Sequence, residues 1–312
     1  MTLALTLGLA CLLSAGLAHA EAPGTQPAAS GETRKAVLVT GASTGIGRRI
    51  TERLAADGHF VYATARKPAD LEELGKIPNV QAVRLDVTNP QEIADAVATI
   101  TEAGRGLYAV VNNAGVAVRG TFLETTEDDM QYVMNVNAYG PWRVTKAFAP
   151  LVIAEKGRIV TIGSISGILS GASMGVYSMS KHAVEAFADS LAAQMAPLGV
   201  SVSVVEPGNY DSEISRTAVA RAGGEAAQGD RSQYKPPDEV AAAVAQALFE
   251  PTPKRRYMVV PGASEGELTI RKAIEELVQL NEGHAYTYDR SALIAMIDDA
   301  LAKARPVTTR TP

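Results

Sequence analysis

Cysteine is almost absent: Cys11 is the only one in 312 residues. No intramolecular disulfide can form, and the lack of one leaves the compartment open. Histidine is scarce too. The four histidines are scattered without metal-ligand spacing, so no metal site is expected. There is no excess of positive charge: the formal net charge is −5, which gives no basic field to draw in nucleic acid. Internal repeats and long low-complexity runs are also missing. What remains is 46% hydrophobic and 20% charged residues, the balance of a globular protein with a real core. The length suits a single α/β domain.

The N-terminus lacks something as well. Thr2 to Ala20 is almost wholly apolar or small, and Ala18-His19-Ala20 ahead of Glu21 has the form of a cleavage site. Yet no Lys or Arg precedes the apolar run, as it normally does in a secretory signal. The expectation is a cleaved signal over residues 1–20 and an exported or periplasmic protein. Two alternatives stand beside it. Residues 2–20 retained would form a membrane tether, marginal in length for a span and oriented weakly by Arg34 and Lys35. A later start would give a cytoplasmic protein. Residues 21–33, rich in Ala, Pro, Gly and Ser, read as a flexible linker.

From Lys35 onward, short β-branched runs alternate with longer amphipathic stretches. Strands are expected at 36–39, 60–63, 80–85, 109–111, 158–162, 200–205 and 257–260. Helices are expected at 46–56, 93–103, 130–154, 176–195 and 240–249. This alternation indicates βαβ units, a parallel sheet of about seven strands covered on both faces, and right-handed crossovers. The expected architecture is a doubly wound, Rossmann-type single domain over residues 34–262. A C-terminal extension, 263–312, carries two further helical patterns and packs either over the site or at a subunit contact.

Thr40-Gly41-Ala42-Ser43-Thr44-Gly45-Ile46-Gly47 follows the first strand and opens a helix. Glycine allows a tight positive-φ turn and close approach of main chain to a pyrophosphate, and a helix N-terminus offers N–H groups to phosphate. The same residues could form a turn with no ligand; the strand–loop–helix context favours binding. Further on, Tyr177 and Lys181 lie four apart and share one helix face. A free phenol, with a pKa of about 10, is a poor base. Taken alone, such a pair is usually helix surface; a neighbouring ammonium would lower that value, which would let Tyr177 exchange a proton with a carbonyl or alcohol oxygen.

The Gly-x-x-x-Gly-x-Gly spacing, Asn112-Asn113-Ala114-Gly115, Asn137-Ala138-Tyr139-Gly140, Ser164 thirteen residues before Tyr177, Tyr177-x-x-x-Lys181 and Pro207-Gly208 occur in one order. Together they resemble the short-chain dehydrogenase/reductase family over residues 34–261. The resemblance implies an oxidoreductase of the CH–OH group with Tyr177, Lys181, Ser164 and Asn137 as the catalytic set. Ser164 would stabilise charge on the substrate oxygen, with Ser166 its rival. Lys181 would also reach the nicotinamide ribose. Asn137, with Asn135 its competitor, would hold a water linked to Lys181. Gly41, Ser43, Thr44, Gly45, Ile46, Gly47, Asp86, Asn113, Ala114, Gly115, Pro207 and Gly208 would line the cofactor, with Asp86 at the adenine and Asn112 bracing the sheet.

The second strand ends in Ala63-Thr64-Ala65-Arg66-Lys67, with no acid for a ribose 2′-hydroxyl. Arg66 could take a 2′-phosphate. NADP(H) is therefore expected, with NAD(H) as the alternative. The substrate is a small-molecule alcohol or ketone; Val204 to Tyr210 resembles family members acting on retinoids and hydroxysteroids. A homo-oligomer is expected. The rival functional readings are a non-catalytic NADP-binding regulator, disfavoured by the intact Tyr177 and Lys181, and an epimerase or dehydratase, for which the tail is short.

Overall fold

The computed structural model describes residues 34–221 and 233–303. The expected signal and linker lie outside the described residues. Seven parallel strands form one sheet: β1 (Ala36–Val39), β2 (Phe60–Ala65), β3 (Val80–Arg84), β4 (Ala109–Asn112), β5 (Arg158–Ile162), β6 (Ser201–Pro207) and β7 (Arg256–Val259). Their order is β3-β2-β1-β4-β5-β6-β7. The chain starts in the middle, winds outward on one side, then returns to wind outward on the other. The doubly wound, Rossmann-type sheet is thus present.

The strands carry apolar residues on both faces because helices cover both. Leu38, Val110, Ile159 and Val204 belong to one core layer, together with Phe148 and Val184. Val37, Val39, Val111, Val160 and Val205 belong to the other, with Ile50, Leu54 and Val244. The helices of the first layer are α3 (Pro90–Glu102), α5 (Gly140–Ala154) and α6 (Gly175–Met195). Those of the second are α1 (Gly45–Ala56), α2 (Pro68–Gly75) and α8 (Asp238–Phe249).

Three details depart from the expectation. α2 was not anticipated: it is eight residues long and buries only Leu74, so it has no repeating apolar stripe to betray it. The helix expected over 130–154 is broken. It runs as α4 (Glu127–Met134), a π turn (Asn135–Tyr139) and then α5. Pro141 gives the physical reason, since it has no N–H for the Asn137 carbonyl four residues back and its ring crowds that oxygen. The wider turn accommodates both, and such turns are frequent at functional sites.

The third departure is β6, which extends to Pro207 and carries Glu206 inside the sheet. α7 (Ile214–Arg221) follows β6, and the tail forms α9 (Ala263–Asn281) and α10 (Arg290–Lys303). No described helix is long and apolar enough to cross a membrane.

Candidate active site

The glycine loop leaves β1 and returns as α1. Gly41 and Gly45 take φ of +63° and +54°, the left-handed region that glycine alone enters freely. A Cβ on Gly41 would lie 2.9 Å from the Ala114 Cα, and one on Gly47 would collide with the Asn113 amide and the Gly41 carbonyl. The loop therefore lies directly on the segment after β4. Asn113 fastens it there: its Nδ2 donates to the carbonyls of Thr40 and Gly41 at 2.9 and 3.0 Å. The Thr40 hydroxyl accepts from the backbone N–H groups of Asn113 and Ala114. Asn113 thus serves the loop's shape through its side chain.

Thr44 begins α1 without a side-chain cap. A helix start that its own N-cap side chain does not close suits a phosphate. Ser43, Thr44, Ile46, Ala114 and Gly115 surround this cradle by their positions in the two loops. The cradle that a Cβ would fill, and the uncapped helix behind it, fit a dinucleotide.

Arg66 and Asp86 occupy the neighbouring corner, at the ends of β2 and β3. Arg66 Nη1 is 3.6 Å from Asp86 Oδ2, and the Arg66 side chain is well exposed. Burial acts to raise the pKa of Asp86, but hydrogen bonds from the Thr88 hydroxyl and N–H, with Arg66, outweigh it and hold the carboxyl below its ordinary range. The corner therefore contains an acid after all, delivered by β3 rather than by β2.

Across the sheet, Ser164 follows β5 and Tyr177 and Lys181 lie in the first turns of α6. All three are buried. The Ser164 hydroxyl is near enough to the Tyr177 phenol to favour its ionisation. Ser164 Oγ also accepts from the Ser166 N–H at 3.1 Å and donates to the Pro207 carbonyl at 3.4 Å. Ser166 thereby supports Ser164. Lys181 Nζ sits 5.6 Å from the centre of the Tyr177 ring and donates to the Ile162 carbonyl at 2.8 Å.

Burial pushes the Tyr177 phenol up to about 12, only partly offset by the nearby Ser164 hydroxyl. The reading from residue types expected the opposite sign. An ammonium favours phenolate, but burial of the phenol dominates here. Burial brings the Lys181 ammonium down to about 8, against the opposing pull of Glu185. At neutral pH the pair is therefore a protonated phenol beside an ammonium, a proton donor held next to a positive charge.

Asn137 lies in the π turn and is buried. Its Nδ2 donates to the Val116 carbonyl at 2.8 Å and to Ser180 Oγ at 2.9 Å, and its Oδ1 accepts from the Val116 N–H at 2.9 Å. Ser180 Oγ in turn donates to the Tyr177 carbonyl at 2.7 Å. Asn137 therefore ties the segment after Gly115 to the helix carrying Tyr177 and Lys181. Asn112 braces the sheet, donating to Thr145 Oγ1 at 2.9 Å. Gly208 and Asn209 are pinned by α9, whose Glu265 accepts from the Asn209 N–H at 3.0 Å. The first turn of the tail thus packs at the site's edge.

Sequence reasoning passed over Glu185, Glu206 and Arg256, which join behind Lys181. A charged residue at the end of the apolar run Val202 to Val205 was the available signal. Among the described residues no cluster of His, Cys, Asp or Glu is placed to hold a metal ion.

A seven-stranded doubly wound sheet, a glycine cradle at a helix start and a Tyr–Lys–Ser–Asn group at the carboxyl ends of the strands define a class. The chain belongs to the short chain dehydrogenase family, whose profile matches residues 35–222. Among its relatives, the mitochondrial D-beta-hydroxybutyrate dehydrogenase of Rattus norvegicus is 38% identical over 193 residues, covering 59% of this chain and 55% of that protein. Retinol dehydrogenase 5 of Mus musculus is 39% identical over 184 residues, covering 57% of this chain and 58% of that one. The chain thus spans little more than half the length of these relatives. The crystal structure of a short-chain dehydrogenase from Streptomyces avermitilis matches with a TM-score of 0.69 at 31% identity, over 81% of this chain and 97% of that one.

Proposed function

We propose that this protein is an NADP(H)-preferring oxidoreductase that moves a hydride between a nicotinamide ring and a ketone or secondary alcohol. The observation carrying this reading is the shared burial of Tyr177, Ser164 and Lys181, with the Lys181 ammonium 5.6 Å from the centre of the phenol ring. Gly41, Gly45 and Gly47, with the start of α1, would hold the pyrophosphate. Asp86 and Arg66 would meet the adenosine end, and Pro207 and Gly208 the nicotinamide end. The bound nicotinamide would supply or accept the hydride.

The residues of the chain handle the proton. Tyr177, protonated at neutral pH, gives its phenolic proton to the carbonyl oxygen in reduction and takes it back in oxidation. Ser164 hydrogen-bonds that oxygen as charge develops on it. Lys181 stabilises the phenolate left behind and reaches the ribose. Asn137 keeps α6 in register with the Gly115 segment.

The NADP preference rests on Ala65 and Arg66, and Asp86 beside Arg66 is its competitor. For substrate, the segment Val204 to Tyr210 and the similarity to retinol dehydrogenase 5 support a retinoid- or hydroxysteroid-like alcohol. Loss of NADPH absorbance with a panel of ketones, including retinoid and steroid members, tests the reading. Absence of turnover across the panel, with NADPH still bound, would favour the non-catalytic regulator. The export reading of residues 1–20 is tested by N-terminal sequencing of native protein, where a mature start at Glu21 is the expected result.

A further inference from the structure

Behind Lys181 lies a second polar cluster that the reaction above does not use. Glu185 is one turn further along α6, on the same face as Lys181. Its Oε1 lies against Gly163 and Gly167, where added Cβ atoms would sit 3.0 and 3.1 Å from it. Those two glycines bracket Ser164. Glu206 comes from β6, directly before Pro207. Both side chains are largely buried, with only 13% of Glu185 and 4% of Glu206 exposed.

The charged groups facing this pair are few. Arg256 from β7 places Nε 3.1 Å from Glu185 Oε2 and 3.4 Å from Glu206 Oε1. Its Nη2 is 2.8 Å from Asp189 Oδ2, one turn beyond Glu185 on α6. Lys181 completes the group. Two features show that the pair is not doubly ionised. First, Glu185 Oε1 and Glu206 Oε1 are both buried acceptors that no donor of the described residues satisfies. Arg256 Nε holds the two carboxyls side by side, and a proton on either one supplies the donor that this pair lacks. Second, the two buried carboxyls share the single Arg256 guanidinium, which Asp189 also engages, and burial disfavours a full negative charge on each of them.

We propose that Glu185 and Glu206 share one proton and, with Arg256, act as a positioning device that keeps a single negative charge behind Lys181. Its importance for turnover rests on the oxidoreductase reading above. The burial and charge argument does not. Burial first, and then the neighbouring Glu185 charge, raises Glu206 from 4.5 to about 8, and Glu185 is raised as well. The two carboxyls titrate as a unit. A folded-state pKa above the unfolded value means that the native protein binds more protons than the unfolded chain between about pH 4.5 and about pH 8. Stability supplied by the shared proton is therefore present at low pH and is lost as the pH rises through about 8.

Glu206→Gln replaces the acid by a neutral amide that can donate to Glu185. Thermal melts of this variant are expected to lose the fall in melting temperature that the wild type shows between about pH 5 and about pH 8. An unchanged slope would overturn the shared proton. Infrared spectra of the unmutated protein give the same answer without a variant. A protonated-carboxyl C=O band should disappear as the pH rises through about 8, and a wild type without this band would overturn the proposal.

The link to Lys181 is read by NMR titration of its side-chain resonance, assigned by its loss in Lys181→Ala. Glu185→Gln combined with Glu206→Gln removes the negative charge. It should lower the Lys181 midpoint by about one pH unit, a tenfold change in proton affinity. A midpoint equal to wild type would reduce the cluster to a structural role. None of these readouts requires a turned-over ketone. Failure of the ketone panel would remove the oxidoreductase reading and leave these outcomes to decide the acid pair.

Discussion

The sheet-bearing body and the two C-terminal helices treat apolar side chains in opposite ways. In the body, Leu38, Tyr62 and Phe148 are fully buried, and every residue of β1 and β4 is inside. In the tail, α9 buries one residue, Thr269, and α10 buries none. Leu280 is 77% exposed and Leu301 65% exposed. Both regions carry helix-period apolar residues. Among the described residues, only those of the body supply the surface that covers them. Periodicity locates an apolar face, and burial requires a second element opposite it.

The largest expected effect lies in the body's active site. Tyr177→Phe should lower turnover by about 10²–10⁴-fold, the usual contribution of a positioned proton donor. NADPH binding by titration should be unchanged. Activity within a few fold of wild type would break the assignment of chemistry to this residue.

The next effect is on the core. Phe148→Ala should cost about 3–5 kcal/mol, from lost transfer energy and the cavity left behind, read from denaturant unfolding. A cost near zero would mean that the body is no better packed than the tail.

Intermediate in size is the cofactor corner, a polar rim of the body. Ala65→Asp with Arg66→Ala should reverse the proposed NADP-over-NAD preference, measured as the ratio of the two dissociation constants. A wild type that already binds NAD more tightly would identify Asp86, and not Arg66, as the dominant group there.

The smallest effect belongs to the tail. Leu301→Ala should change stability by no more than about 0.5 kcal/mol, as for other surface positions. A substantially larger loss would show that α10 is covered in solution, erasing the contrast between the two regions.

The same contrast explains what could be read from the sequence. β1, β4 and β5 were legible because they are short apolar runs between turn residues, and β-branched residues mark the runs at 36–39 and 158–162. α2 was not, since eight residues with one buried leucine carry no period. The π turn escaped because Pro141 acts on a carbonyl four residues earlier, while the apolar pattern passes through it unbroken. In the site, the spacing of Ser164, Tyr177 and Lys181 was readable because they lie on β5–α6, one continuous piece of chain. The Arg66–Asp86 pair needed the register of β3 against β2, in which Ala65 lies opposite Arg84. The Glu185–Glu206 pair needed the meeting of a helix face with a strand end, which no local pattern encodes.

The π turn at Asn135–Tyr139 bears on the kinds of sequence change this segment can absorb. Each residue of an α-helix rotates the chain by about 100°, and the wider turn shifts that count locally. Val133 before the turn and Val144 and Phe148 after it all face the same core. Replacing a side chain within 127–154 alters one contact. Deleting a single residue rotates one half of the segment against the other, so Val133 and Phe148 can no longer face inward together while Asn137 reaches Val116. Between α4 and α5 the chain is therefore freer to vary in composition than in length.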